Sequence, residues 1–281
     1  MRARVAAAVV MVCGATTIAP AQRFSSSVEA VRVDVLVTNR GVPVSGLRSA
    51  DFEVRDNGVV QRIELLGFEQ LPVNVVMTLD LSSSVDGARL RDLRAAGRAL
   101  LKGLQPDERA ALVTFNHVVA RRQSLTTDHQ RVIDALESAE PAGNTSLLDA
   151  AYAAMIVADS EASRSLVVAF SDGVDVSSWL SPQLVLDAAK RIDAVVYGVS
   201  MRGSRPRFLE DLTEQTGGRL LDVESRNLSE TFVGILNEFR SRYVLSYTPQ
   251  GVKPGGWHQL DVRVKGRRAT VKARPGYLAG R

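Results

Sequence analysis

Only one of the 281 residues is cysteine, Cys13. A disulfide within the chain is therefore excluded, and so is a metal centre built on paired thiolates. Beyond the first twenty or so residues there is no clean apolar run of about 18, the length a membrane-crossing helix needs. A G-x-S-x-G elbow is missing, which argues against a serine hydrolase of the α/β type. Neither a phosphate-binding G-x-x-x-x-G-K-[ST] loop nor a G-x-G-x-x-G turn occurs, so a nucleotide site has no support. No internal repeat of 20–50 residues is visible. With 45% hydrophobic and 23% charged residues, the composition is that of a globular chain long enough for one large domain or two small ones.

The N-terminus stands apart. "MRARVAAAVVMVCGATTIAPAQ" carries two arginines, a short apolar core and Ala19-Pro20-Ala21. That layout predicts a secretory leader over residues 1–21, cleaved after Ala21, and hence a secreted, periplasmic or envelope location. Cys13 would leave with it. Loss of Arg2 and Arg4 lowers the formal charge from +4 to +2, with 33 basic against 31 acidic residues. So near a balance gives no electrostatic case for nucleic acid. The densest basic run, "RVKGRRATVKAR" at 263–274, alternates with valines and reads as the wet face of a strand. No aromatic RNA-binding motif accompanies it.

What remains divides into three zones. Residues 22–71 read as β: "VEAVRVDVLVT" alternates with period two. In "DFEVRDNGVVQRI", Asn57-Gly58 separates two alternating runs, a hairpin signal because both turn positions need positive φ. Residues 72–238 alternate short apolar strands with helical patterns. "VNVVMTLD" and "RSLVVAFSDG" are continuous runs of the kind buried on both faces of a parallel sheet. "RAALVTFN", "AVVYGVS" and "GRLLDVE" are further strands. Between them lie helices over "GARLRDLRAAGRALLKGL", "DHQRVIDALESA" (opened by Asp128), "SLLDAAYAAMIVAD", "SPQLVLDAAKRID", "PRFLEDLTEQTG" and "NLSETFVGILNEFRSR". This order predicts an α/β fold: a doubly wound, mostly parallel sheet. Residues 239–281 return to β. The two flanking zones are each too small to bury a sheet face, so they are expected to pair into one small β-sandwich with the α/β domain inserted between them. Trp257 and Tyr277 are expected in its core.

Ligands of doubly wound sheets bind beyond the carboxyl ends of the strands. Three such loops carry oxygen donors. The first is Asp80-Leu81-Ser82-Ser83-Ser84. The second is "GNTSLLDA", with Thr145. The third is "FSDGVD", with Asp172 at its tip. Two carboxylates and three hydroxyls, without His or Cys, disfavour zinc, copper and iron. Such a set suits Mg²⁺ with waters completing the shell, or Mn²⁺ or Ca²⁺ in its place. The other reading of "DLSSS", taken alone, is a helix cap.

Asp80-x-Ser82-x-Ser84, Thr145 and Asp172, in that order in three loops, resemble the metal-ion-dependent adhesion site of the von Willebrand factor type A family. "RVDVLVTNRGVPVSGLRSADFEVRDNGVVQRI" ahead of the domain and "YVLSYTP…WHQLDVRVKG…VKARPGYLA" behind it are similar to a secreted bacterial group called VWFA-related. The resemblance implies that Ser82 and Ser84 bind the cation directly, that Thr145 does so in a high-affinity state, and that Asp80 and Asp172 act largely through coordinated water. It implies a protein-binding rather than enzymatic role: a partner's acidic side chain completes the metal shell. Two rivals stay open. One is an envelope protein whose cation only stabilises the fold. The other is a metal-dependent hydrolase or phosphotransferase, although the second carboxylate that aspartate-nucleophile phosphotransferases place two residues on is here Ser82. Around the site, Asp175 reads either as a loop-ordering residue or as a cap, and Asp86 either as a residue favouring a second cation or, the better reading, as a turn aspartate. His117 is either a rim residue or a solvated loop histidine. Trp179 is either a contact anchor or a residue packed on a helix.

Overall fold

The computed structural model describes residues 30–66, 72–159, 163–204 and 206–280. The expected leader over 1–21 lies outside the described residues. The first flank supplies β1 (Val31–Asn39), β2 (Val42–Pro43), β3 (Phe52–Asp56), β4 (Val59–Val60) and β5 (Glu64–Leu66). The middle of the chain runs β6 (Val73–Asp80), α1 (Ala88–Lys102), β7 (Arg109–Phe115), β8 (Val119–Thr126), α2 (His129–Glu137), α3 (Leu147–Ala158) and β9 (Arg164–Ser171). It continues through α4 (Pro182–Ala189), β10 (Val195–Met201), α5 (Arg207–Gln215), β11 (Leu220–Val223) and α6 (Leu228–Arg240). The second flank adds β12 (Tyr243–Tyr247), β13 (Gly256–Val264), β14 (Thr270–Lys272) and β15 (Gly276–Ala279).

The central sheet has the order β11-β10-β9-β6-β7-β8. Every pair is parallel except β7–β8. All residues of β6 and β9 are buried, because helices cover both faces. Val75, Met77 and Leu79 of β6 pack with Leu93 of α1, Val132 of α2 and Phe232 and Phe239 of α6. Val76 points the other way, with Ala150 and Met155 of α3, Val185 of α4 and Leu212 of α5. The doubly wound reading of the sequence is therefore correct. Each fully buried Val, Leu or Phe side chain contributes roughly 1.5–3 kcal/mol relative to exposure, and the continuous apolar runs concentrate that gain on β6 and β9.

One strand is not expected from the sequence. "VARRQSLT" is too polar to read as an element, yet β8 pairs antiparallel with β7 through an irregular register. It is an edge strand, half exposed along most of its length, and charge on an edge discourages pairing with other chains.

The flanks form two antiparallel sheets, β14-β1-β12-β5 with β2 beside β1, and β15-β13-β3-β4. Strands from the two ends of the chain pair directly: β1 with β12 and β3 with β13. Val33, Val35, Phe52, Val54, Tyr243, Leu245, Tyr247 and Leu260 fill the space between the sheets. The Asn57-Gly58 hairpin forms with φ of 46° and 84°, the twist that matches flanking strands. Tyr277 is in this core as expected, but Trp257 is 40% exposed. Alternation explains the correction: His258 and Leu260 point inward, so Trp257 points outward, where Lys190 Nζ lies 5.7 Å from its ring centroid.

Arginines join the sheets to the α/β unit. Arg274, at the end of the basic run read as solvated, is only 7% exposed. It donates to Asp193 Oδ1 (2.9 Å), the Lys190 carbonyl (3.0 Å) and the Gly276 carbonyl (2.8 Å). Arg164, at the start of β9, pairs with Asp34 of β1, both nearly buried. The turn into β11 passes close by: a Cβ on Gly218 would stand 1.8 Å from the Val196 carbonyl oxygen. Because that neighbour is backbone, Gly218→Ala is expected to cost about 2 kcal/mol, read as a lower midpoint in thermal unfolding; an unchanged midpoint would show that β11 shifts freely.

Candidate metal centre

Asp80 is the last residue of β6 and is fully buried. Its Oδ1 accepts the Ser82 backbone N–H (2.8 Å) and its Oδ2 accepts the Ser171 hydroxyl (2.7 Å). The first of these curls the chain as it leaves the strand, so that Ser82 and Ser84 converge with Oγ atoms 2.9 Å apart. The Ser84 hydroxyl donates to Asp172 Oδ1 (2.7 Å). The Ser204 hydroxyl donates to the Asp172 backbone carbonyl (2.9 Å). Thr145 stands against the same tip: a Cβ on Gly173 would lie 3.3 Å from its Oγ1. All five predicted residues thus gather at one end of the sheet, four of them in a continuous hydrogen-bonded chain and Thr145 beside it.

Further contacts fix the loops. Ser83 donates its N–H to the Gly143 carbonyl (3.0 Å) and Ala142 to the Leu81 carbonyl (2.9 Å), which binds the first loop to the second. The Val176 and Ser177 N–H groups both donate to the Thr145 carbonyl (3.0 and 3.1 Å), which binds the third loop to the second. Asp175 accepts from the Ser178 hydroxyl and the Leu148 N–H, so it is a loop-ordering residue that also satisfies a donor at the start of α3. Asp149 accepts the N–H groups of Trp179 (3.0 Å) and Leu180 (2.9 Å). Asp86 accepts its neighbour Gly87 N–H (2.6 Å), as a turn aspartate does. The exposed His117 ring lies against Gly143, where φ is +62° and a Cβ would come within 2.1 Å of Nδ1.

Three participants escape sequence reading. Ser171, Asp149 and Arg89 are ordinary residues of a strand end and two helix starts, with no motif to flag them. Arg89 Nη1 donates to Asp172 Oδ2 (3.0 Å) and to the Ser84 carbonyl (3.1 Å).

Burial pushes the Asp80 carboxyl above the ordinary carboxylate range; the Ser82 and Ser171 hydrogen bonds pull it back, and the nearby Asp172 charge adds to the rise. Two carboxylates with hydroxyls at hydrogen-bonding distance, one of them stripped of water, form a set of hard oxygen donors that a small divalent cation fits. The residues present therefore suit Mg²⁺ or a similar ion and not a thiophilic metal.

A doubly wound sheet with this loop arrangement defines the class, the von Willebrand factor type A fold. Residues 75–175 match the von Willebrand factor type A domain family. Among curated proteins it is similar to the inter-alpha-trypsin inhibitor heavy chain H2 of Mus musculus, 25% identical over 140 residues, covering 45% of this chain and 15% of that protein. The Sus scrofa protein of the same name is 26% identical over 119 residues, covering 37% of this chain and 13% of its own. The chain therefore spans a small part of the relatives it matches. Two solved structures share the fold. One is von Willebrand factor type A from Catenulispora acidiphila (TM-score 0.53, 12% identity, 90% of this chain and 75% of that one). The other is the D319A mutant of the PilB minor pilin from Streptococcus sanguinis (TM-score 0.51, 14% identity, 61% and 62%).

Proposed function

We propose that the chain is a secreted or envelope-exposed binding protein, not an enzyme, that captures a protein partner through a divalent cation held by Asp80, Ser82, Ser84, Thr145 and Asp172. Mg²⁺ is the favoured ion, with Mn²⁺ or Ca²⁺ as substitutes. The observation that carries this reading is the hydrogen-bonded convergence of Asp80, Ser82, Ser84 and Asp172 from two strand ends. Hydroxyl ligands are neutral, so much of the charge of a bound cation stays uncompensated and favours an anionic oxygen from outside. A partner's Asp or Glu would supply it. The rim supports a protein partner: Trp179 is 96% exposed, with Val174 at 73% and Val176 at 67% on the same loop. Exposed apolar side chains beside a polar site are characteristic of interaction surfaces.

On this reading residues 1–21 are a leader, residues 22–71 and 239–281 are the halves of a supporting sandwich, and residues 72–238 hold the metal site. A purely structural cation is the rival. The loops argue against it, since backbone and hydroxyl hydrogen bonds already hold them together. Asp80→Ala and Ser82→Ala are expected to leave far-UV circular dichroism unchanged and to abolish Mg²⁺ binding in calorimetric titration; affinity equal to the parent protein would sink the assignment. In a pull-down from cell-envelope extract, a partner retained with Mg²⁺ and released by EDTA supports adhesion. A large thermal stabilisation by Mg²⁺ with no partner retained would favour the structural role.

A further inference from the structure

Arg89 occupies a position where a cation is unfavourable. It is the second residue of α1, in the first turn, where the helix dipole is positive. No acidic residue lies in that turn, and the cap, Gly87, offers no side chain. Yet the guanidinium turns back over the first loop and is held there by the Ser84 carbonyl and Asp172 Oδ2. The pair is asymmetric: the Asp172 side chain is 1% exposed and that of Arg89 is 50% exposed. Both oxygens of Asp172 are thereby engaged, Oδ1 by Ser84 and Oδ2 by Arg89. The carboxylate that would help neutralise a divalent ion is already neutralised by a residue of the chain.

We propose that Arg89 is an internal counter-ion that competes with the divalent cation for Asp172 and so weakens the site's affinity for metal. The inference rests on the proposed cation-binding function of the same loops. With Arg89 in place the cluster of Asp80, Asp172 and Arg89 carries one net negative charge; without it, two. A cation approaching Asp172, directly or through water, meets a like charge fixed beside it, and must either tolerate the repulsion or displace the guanidinium outward into solvent. Half the arginine side chain is already exposed, so the way out is open. Both of its contacts use one nitrogen, Nη1, so an ammonium on a shorter chain can take the same place.

Calorimetric titration with Mg²⁺ and with Mn²⁺ tests this on the full chain, comparing the parent with Arg89→Gln, Arg89→Lys and Asp80→Ala. Arg89→Gln is expected to bind about tenfold more tightly than the parent. Arg89→Lys is expected to stay within about threefold of it, because the charge is retained. Asp80→Ala is expected to bind neither ion. A merely structural role for Arg89 would lower the thermal midpoint in EDTA without raising metal affinity. If the parent binds metal and Arg89→Gln binds no more tightly, the competition is overturned while the cation site stands. If neither binds, the cation site and the competition fall together. Should Arg89→Gln fail to fold, a gain in affinity or a departure of more than about threefold in Arg89→Lys would overturn the charge argument on its own.

Discussion

Replacing Asp56 with alanine is expected to remove about 3–5 kcal/mol of stability, the range found when one partner of a buried charged network is deleted. Asp56 ends β3 and is fully buried between the two flanking sheets. Its Oδ2 accepts the hydroxyls of Tyr247 (2.9 Å) and Tyr277 (2.8 Å), and its Oδ1 accepts Nδ1–H of His258 (2.8 Å). The three donors come from β12, β15 and β13, so one carboxylate of the first flank fixes three strands of the second. Burial pushes both tyrosine hydroxyls well above the ordinary phenol range, which keeps them protonated as donors at every pH where the chain folds. His258 Nε2 finds no partner among the described residues. Alanine at 56 would strand two hydroxyls and an imidazole N–H in an apolar layer at once. Whole-domain stabilities run about 5–15 kcal/mol, so the variant should populate unfolded flanks at ambient temperature. Urea unfolding followed in the near-UV tyrosine band measures this; a loss below about 1 kcal/mol would mean that water replaces the carboxylate.

Nothing in "RDNG" announces that role. In a sequence, an aspartate before Asn-Gly reads as hairpin chemistry, and it does serve a hairpin. That its side chain is also the hub of a buried network depends on partners 191 to 221 residues further along the chain. The same limit explains Trp257. The strand is legible, but which of its faces is buried depends on register, and a one-residue difference exchanges the faces. β8 is invisible in the sequence because it is an edge strand paired on one side: only Val119 and Leu125, near its two ends, pack against the core, and Arg121 to Ser124 between them break the apolar pattern. The core of the α/β unit is legible for the opposite reason. β6 and β9 are buried on both sides, and a short, continuous apolar run set between helical patterns is the mark that double burial leaves on a sequence.

Asp80, Ser82, Ser84 and Asp172 are legible from one topological rule, that the carboxyl ends of parallel strands share an end of the sheet; Thr145 lies between α2 and α3, and only the resemblance of the whole pattern marks it. The rule names the loops but not the neighbours that reach into them. Arg89 falls inside a predicted helix with no motif to flag it, and only the packed structure turns it onto Asp172. Trp179 has two readings at the sequence level, and its exposure excludes packing on a helix.

The second large effect concerns the joint between the sandwich and the α/β unit. Arg242 is fully buried just ahead of β12. Its Nη2 donates to the Gly217 carbonyl (2.7 Å) and the Tyr197 hydroxyl (3.0 Å), its Nε to that hydroxyl (3.1 Å), and Nη1 reaches the Asp34 carbonyl of β1 (3.4 Å). Tyr197, from the middle of β10, passes the interaction on by donating to Glu238 Oε1 (2.7 Å). Glu238, which also pairs with Arg219, thus stands at one remove from the Arg242 charge, while the arginine fork spans β1, β10 and the turn before β11. Arg242→Ala would leave two carbonyls and a phenol oxygen without donors and empty a large volume, at a cost of about 3–4 kcal/mol. Arg242→Lys would restore the charge but not the fork, because one ammonium cannot reproduce the contacts that three guanidinium nitrogens make with the Gly217 and Asp34 carbonyls and the Tyr197 hydroxyl, so it should recover less than half of the loss. The penalty falls on the joint rather than on either core: the apolar residues of the central sheet and those of the sandwich do not change. The single cooperative transition expected of the parent should therefore split in scanning calorimetry into a lower step for the sandwich and a higher one for the α/β unit. A variant that still melts in one step, shifted by less than about 1 kcal/mol, would show that Arg164 and Arg274 suffice to hold the two together.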